Sequence, residues 1–350
     1  MTTATKTYTA AVIGVGKAGG GGPKGGGHAI GYVHAGTFKA NPRVKLAAGA
    51  DINAENLRAY RERFGVPLGF EDYRALLKDL KPDLVSIGTY VGLHRRIIED
   101  AARAGVKGIL CEKPFLNAPA DLDAVERVAA ETGAKIVVGH MRRYRPAFER
   151  ARDLYNDGTV GKPLMCLGGI EGWDLSEWGS HWLDIFRFFN KDRAVNWIMG
   201  QARVRGFRGY GHAMEEHAVA YFEFEGGAKA ILDGGKAVGQ GLTLLGAEGV
   251  IRVRDEAIVT VENGSGRAIE DFSSHPRHNA IWPKVLEELI DWIEGGPIPR
   301  VGHPSMLKTC ELNLAAYLSA LKGDRIDLPL SGELRAYDEW PVEALARRTS

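Results

Sequence analysis

Cysteine is scarce. The 350 residues hold three, Cys111, Cys166 and Cys310, too few and too scattered for a disulfide framework or a structural zinc site. A reducing, cytoplasmic location is the expectation. Neither sign of charge is in excess: 45 Lys+Arg against 44 Asp+Glu leave a net charge of +1, so no global field draws in nucleic acid. No run approaches the ~20 apolar residues of a membrane-spanning helix. The opening residues (MTTATKTYTA) have no basic region followed by an apolar stretch, so neither secretion nor membrane insertion is expected. With 45% hydrophobic and 25% charged residues the composition is that of an ordered globular chain. At roughly 150 residues per domain, its length suggests about two domains. Glycine is what abounds: 45 residues, about twice the usual ~7%, with a dense run at 19–27.

The first half alternates period. Short apolar runs at 9–14, 44–51, 84–89, 108–111 and 135–139 are expected as buried strands. Helical patterns lie between them at 54–64, 73–80, 94–104 and 120–132. This alternation implies a doubly wound parallel sheet with helices on both faces. The second half carries strand-like runs at 163–169, 195–204, 217–224, 228–232, 242–245, 250–253 and 258–261. Helical signals flank them at 147–156, 180–189, 284–293 and 305–321. Strands not separated by helices imply a large open, mainly antiparallel sheet in an α+β domain. The expected division is an α/β Rossmann dinucleotide-binding domain over 1–140 and a substrate-binding and oligomerisation domain over 141–350.

Gly14-Val15-Gly16-Lys17-Ala18-Gly19 matches G-x-G-x-x-G directly after a strand. In so glycine-rich a stretch the match alone is weak. The fingerprint also needs an acid about 20 residues beyond its last glycine, at the end of the second strand. Asp51 ends that strand. It lies 32 residues past Gly19 but 20 past Gly31. Gly14 and Gly16 are therefore assigned to the tight turn and Gly31 to the glycine that lets the helix pack on the sheet. About a dozen residues are then inserted in the phosphate turn. Asp51 is expected to meet the adenosine ribose hydroxyls. Its charge would repel a 2′-phosphate, and no Arg follows at Ile52 or Asn53, so NAD is favoured over NADP.

Leu110-Cys111-Glu112-Lys113-Pro114 follows the fourth strand, at the carboxyl edge where doubly wound folds bind ligands. With this motif the sequence resembles the glucose–fructose oxidoreductase / inositol dehydrogenase (Gfo/Idh/MocA) family over nearly its whole length. The GxG opening, Asp51, the Thr89…His94 stretch, Gly139-His140-Met141-Arg142-Arg143, Gly161-Lys162-Pro163, the segment from Glu177 to Asp184, and Asp327-Leu328-Pro329 carry the resemblance. It implies an NAD-dependent oxidoreductase of a sugar, polyol or glycoside, with Lys113 at the reacting hydroxyl, His181 as acid/base and Glu177 across the substrate. It also implies that Thr89, His94, Glu112 and Lys113 border the cofactor. Two positions depart from the family pattern: Glu177 stands where Asp is usual, and Tyr90 where proline is usual.

The chemistry agrees with the residue types. Histidine titrates near neutral pH and suits removal of a hydroxyl proton. An ammonium stabilises a developing alkoxide. Glu177 and His181 are four apart and on a helix share a face, so Glu177 could orient the imidazole. A metal site from Glu177, His181 and a third ligand is disfavoured by the charge of Lys113, and no metal is expected. Trp173, Asp174, Trp178 and Trp182 offer indole faces beside carboxylates, as sugars require, or are simply core. Arg142, Arg143 and Arg145 are expected as a solvated face or in interdomain salt bridges, with Arg142 a candidate contact to the substrate. A homodimer or homotetramer is expected, burying the uncovered face of the second sheet. Two rivals remain: a redox-neutral sugar enzyme that cleaves or epimerises through a transient keto intermediate with retained NAD, and a non-catalytic dinucleotide-binding protein.

Overall fold

The computed structural model describes residues 6–17, 30–170, 174–208, 212–234, 241–275 and 278–349. The glycine run at 19–27 and Trp173 lie outside them. The first part comprises β1 (Tyr8–Ile13), α1 (Ile30–Ala40), β2 (Val44–Ala50), α2 (Ala54–Phe64), β3 (Leu68–Phe70), α3 (Tyr73–Leu80), β4 (Leu84–Ile87), α4 (His94–Arg103), β5 (Gly108–Cys111), α5 (Pro119–Thr132) and β6 (Lys135–Val138). The second begins with α6 (Pro146–Asn156), β7 (Pro163–Gly169) and α7 (Ser180–Phe189). It continues through β8 (Val195–Arg208), β9 (His212–Phe224), β10 (Lys229–Asp233), β11 (Gly241–Gly246), β12 (Gly249–Arg254), β13 (Ile258–Asn263) and β14 (Gly266–Asp271). It closes with α8 (Trp282–Ile293), α9 (His303–Lys322), β15 (Ile326–Asp327), α10 (Gly332–Arg335) and α11 (Pro341–Thr349).

Six parallel strands form the first sheet in the order β3-β2-β1-β4-β5-β6. The order reverses between β1 and β4, which opens a crevice beyond their carboxyl ends. Strands buried on both faces read as continuous apolar runs, and all four residues of β4 and of β5 are buried. Local signals end the helices: Asn53 caps α2 by accepting from the N–H groups of Glu55 and Asn56, and Gly65 closes it at φ +64°. The compact unit built on this sheet takes in residues up to Leu116, Asp121–Gly139 and, unexpectedly, His278–Pro304. The division expected from the sequence had α8 in the second domain; its contacts group it with the first sheet instead. Leu286 and Ile290 of α8 are fully buried in one cluster with Tyr8, Val12, Phe38 and Leu84. Burying each such side chain contributes about 1.5–3 kcal/mol, and sequence distance does not enter that term.

The second unit holds Asn117–Ala120, His140–Arg277 and Ser305–Ser350. Its nine-stranded sheet has the order β14-β13-β12-β11-β7-β10-β9-β8-β15 and is antiparallel except where β7 pairs with β10. Along β9, Ala218, Ala220, Phe222 and Phe224 are buried while the residues between them are half-buried, the period-2 pattern of a sheet with one covered face. All ten residues of α7 are buried, and a Cβ at Gly168 of β7 would stand 2.7 Å from the Phe186 ring. β14 had no apolar pattern to announce it: the sequence GRAIED lies largely exposed at the sheet edge.

The three arginines are not a solvated face. Arg142, Arg143 and Arg145 are 5%, 1% and 3% exposed, and partners within the second unit neutralise them. Arg143 donates to Asp184 Oδ1 at 2.7 Å and to Asp192 Oδ2 at 2.7 Å. Burial would depress its pKa, but Asp184 and Asp192 hold it above the usual arginine value. Arg142 bonds Glu256 at 3.1 Å, and Arg145 pairs with the same carboxylate.

Candidate active site

At the carboxyl end of β1 the chain turns through Gly14 (φ +79°) and Gly16 (φ +71°), a backbone region that costs glycine little. A Cβ on Gly14 would fall 2.7 Å from Thr89 Cγ2, so this turn touches the loop after β4 at the point where strand order reverses. Gly31 sits in the first turn of α1, where a Cβ would come within 2.5 Å of the Val15 carbonyl oxygen. A side chain there would collide with the backbone of the turn. The inserted segment lies outside the described residues. Asp51 follows β2. Its Oδ2 accepts from Gly16 N–H and its Oδ1 from Asn53 N–H, each at 2.9 Å. The carboxylate therefore joins the glycine turn to the start of α2, and Ile52 beside it is 92% exposed. A bare-backbone turn, an acid at the neighbouring strand end and an exposed apolar side chain fit an adenosine dinucleotide.

The remaining candidates of this unit gather around β4 and β5. His94 is buried, with Nε2 3.0 Å from the Thr89 carbonyl and Nδ1 3.1 Å from that of Phe115. Expected at the cofactor, it braces the loop and turn that would border it. Burial lowers its pKa. Lys113 follows β5 half-buried, and its backbone N–H donates to Glu112 Oε2 at 3.2 Å. The peptide bond before Pro114 is cis.

Beneath Glu112 lies a network that no sequence motif marks. His34 of α1 places Nε2 3.2 Å from Glu112 Oε1 and Nδ1 2.6 Å from the Ser86 hydroxyl of β4. Trp282 meets the His34 ring edge-on, with centroids 4.5 Å apart. Burial would raise the pKa of Glu112, but His34 and Lys113 hold it below the ordinary glutamate value. A Cβ on Gly139 would stand 3.0 Å from both carboxylate oxygens. The available signals were a histidine three residues past Gly31 inside an apolar helix, and a serine inside the apolar strand LVSI.

In the second unit, Glu177 lies not in an ordinary α-helix but in a π-turn, Leu175–Gly179, that runs into α7. Such wide turns recur at functional sites. His181 occupies the first turn of α7. Its ring lies 5.2 Å from that of His140 and 6.3 Å from that of Trp178. Arg142 stacks over Trp178 and Trp182, at 5.5 and 5.3 Å to the ring centroids. Trp182 is core, 5% exposed, while Trp178 is half-buried. The structure thus gathers Arg142, Trp178, His181 and His140. Glu177 Oε1 is 3.8 Å from His212 Nε2, a histidine at the start of β9 that no sequence motif marked. Asp174 is 2% exposed and acts as the cap of the π-turn. Among the described residues no group of three or more His, Cys, Asp or Glu could hold a metal ion, and no helix is long and apolar enough to cross a membrane.

These features define a Rossmann dinucleotide-binding fold joined to a large, mainly antiparallel sheet. Residues 9–140 match the family model described as "Oxidoreductase family, NAD-binding Rossmann fold". The chain is 27% identical over 318 residues to a D-apiose dehydrogenase of Paraburkholderia graminis, covering 81% of this chain and 83% of that one. It is 26% identical over 333 residues to the NAD-dependent scyllo-inositol 2-dehydrogenase of Bacillus subtilis, covering 88% and 95%. Its fold is that of an Agrobacterium radiobacter oxidoreductase solved with NAD+, L-tartaric acid and magnesium (TM-score 0.75, 24% identity, 92% and 98% covered). It is also that of a levoglucosan dehydrogenase solved with NADH and levoglucosan (TM-score 0.78, 17% identity, 93% and 100% covered). Over residues 9–140 the chain is thus similar to the NAD-binding Rossmann domain of the Gfo/Idh/MocA oxidoreductases.

Proposed function

We propose that this protein is an NAD-dependent dehydrogenase of a hydroxyl group on a sugar, polyol or related cyclic alcohol. The observation that carries the proposal is the placement of Lys113. It follows β5 at the carboxyl edge of a parallel sheet whose β1 turn is built for a dinucleotide. Gly14, Gly16 and Asp51 would hold the adenosine and phosphate portion, and Thr89 and Glu112 would border the nicotinamide portion. NAD, when bound, supplies a hydride acceptor. Lys113 steadies the developing alkoxide and then polarises the carbonyl. His181 takes the hydroxyl proton, with Glu177 fixing charge in the same turn. Arg142, with its guanidinium on Glu256, serves to hold Trp178 in place. The indole of Trp178 is the apolar face offered to a sugar ring. Relatives that act on D-apiose and on inositols support the substrate class.

The test is initial-rate NAD reduction against D-apiose, scyllo-inositol, myo-inositol and levoglucosan, with Lys113→Ala and His181→Ala alongside. Each variant is expected to lose at least ~100-fold in kcat while binding NAD normally. Near-full activity in both refutes the assignment. Co-purifying NAD with sugar turnover but no net NADH would move the protein to the redox-neutral class. NAD binding with no turnover of any such substrate would leave the non-catalytic one.

A further inference from the structure

The carboxyl end of β5 carries a charge where the interior does not ordinarily take one. Glu112 is 8% exposed, and a buried carboxylate is stable only when partners take up its charge. Its two oxygens point to different neighbours. Oε2 accepts from the backbone N–H of Lys113 at 3.2 Å, and Oε1 lies 3.2 Å from His34 Nε2. Behind the imidazole, Nδ1 is 2.6 Å from the Ser86 hydroxyl, and Trp282 packs on the ring at an interplanar angle of 78°. His34 and Ser86 are both fully buried. On the side of β6, a Cβ at Gly139 would stand 3.0 Å from both carboxylate oxygens, so the neighbouring chain leaves room for Glu112. The succession Ser–His–Glu is that of a hydrolytic triad, but its hydroxyl is sealed inside β4, whose four residues are all buried. No substrate reaches that end. The end that meets the loop after β5 is the carboxylate.

We propose that His34, backed by Ser86, is a positioning residue for Lys113 that acts through Glu112: it holds the inner carboxylate oxygen, so that Glu112 fixes the Lys113 backbone without drawing the ammonium away from the substrate. This rests on the dehydrogenase reading above. A ring nitrogen 3.2 Å from a carboxylate oxygen carries a hydrogen, because two lone pairs at that distance repel. The serine hydroxyl both donates and accepts, so Ser86 steadies the other ring nitrogen whether the imidazole is neutral or charged. Burial opposes ionisation of Glu112, and His34 leads the groups that restore it. With the imidazole gone, the inner oxygen turns toward the charge of Lys113, which already bears on Glu112. The lysine is then drawn back from the reacting hydroxyl. The fold thus spends a helix residue and a strand residue, from α1 and β4, on the aim of a side chain that neither of them touches.

Two amides at position 34 separate the two contacts. The Asn amide reaches as far as Nδ1 and keeps Ser86 only. The Gln amide reaches as far as Nε2 and keeps Glu112 only. Both lose the packing of the imidazole on Trp282. The test measures kcat, KM, NAD affinity and melting temperature for wild type, His34→Asn and His34→Gln with the preferred sugar or polyol. Alongside, the environment of Lys113 is followed by NMR of its isotope-labelled methyl groups after reductive methylation, the signal being assigned with Lys113→Ala. His34→Asn should lose at least ~tenfold in kcat, towards the ~100-fold that a displacement of about 1 Å can cost, with KM and NAD affinity unchanged, and its Lys113 signal should move. His34→Gln should stay close to wild type in both readouts. Equal kcat in the two variants, or kcat that follows melting temperature instead of the Glu112 contact, overturns the positioning role. So does a Lys113 signal that moves in neither variant. If Lys113→Ala itself retains activity, the dehydrogenase reading has failed instead, and the Lys113 signal alone decides whether His34 governs that residue.

Discussion

Replacing His34 with leucine should weaken the protein through a residue that itself belongs to no recognised catalytic motif. The imidazole is fully buried between Glu112 and Ser86. Leucine fills similar volume but leaves the Glu112 carboxylate with only Lys113 beside it. Losing a hydrogen-bond partner of a buried charged group costs about 2–3 kcal/mol. For a unit of 150–250 residues a loss of 1 kcal/mol lowers the melting temperature by about 2–4 °C, so a drop of roughly 4–12 °C is expected at pH 7. The sign of the pH dependence follows from Glu112. Its folded-state pKa lies below the unfolded value of 4.5, so its contribution is complete above that pH and is lost as pH falls through the folded value. Without His34, burial prevails and the carboxyl pKa rises. The gap between wild type and variant should therefore be widest near neutrality and narrow on acidification. Replacing both partners by apolar residues should recover much of the loss, because no charge is left buried alone. Scanning calorimetry across pH 4–8 measures all of this. An unchanged melting temperature at pH 7, or a gap that widens on acidification, would refute the reasoning.

Three further outcomes are expected. Gly31→Ala puts a methyl 2.5 Å from the Val15 carbonyl; α1 must shift, and titration calorimetry should show NAD affinity reduced at least about tenfold, or ~1.4 kcal/mol. Asp51→Ser with Ile52→Arg exchanges an anion for a cation at the ribose end and should raise kcat/KM for NADP relative to NAD; an unchanged ratio removes Asp51 from the cofactor site. Light scattering should find a homodimer or homotetramer. Met199, 49% exposed on β8, lies on the same side of the sheet as the Trp197–Tyr221 pair, whose ring centroids are 5.2 Å apart, and Met199→Arg should dissociate the assembly. A stable wild-type monomer contradicts this.

Periodicity alone located most of the architecture, because apolar runs and helical stripes report burial directly. The bounds 54–64, 73–80, 108–111, 163–169 and 180–189 recur unchanged in the structure. What escaped lacked such a pattern. β3 has three residues, β14 is polar and exposed, and α8 joins the first unit through a cluster whose other members lie more than 200 residues away in sequence. At the site, glycine spacing and the EKP motif were legible because backbone conformation and strand position leave local marks. The supporting residues were not. His34 and Ser86 act by meeting residues from other elements, and a pairing across elements leaves nothing local to read. The buried arginines misled for the same reason: three basic residues in four positions look solvated until Asp184, Asp192 and Glu256 are brought to them.

The return of residues 278–304 to the first unit orders events during synthesis. Domains form as units while the chain is being made, and this one is not whole when residue 140 leaves the ribosome. Its sheet waits, with the surface around Tyr8, Phe38 and Leu84 lacking Leu286 and Ile290, until the entire antiparallel sheet up to β14 has been made. The second unit, whose strands β7 to β14 follow one another without interruption, can assemble in that interval. A fragment ending at residue 140 therefore carries an uncovered apolar seam and should be handled by chaperones or aggregate. The smallest piece able to close the nucleotide-binding core must extend past Pro304 or join α8 to residue 139 directly.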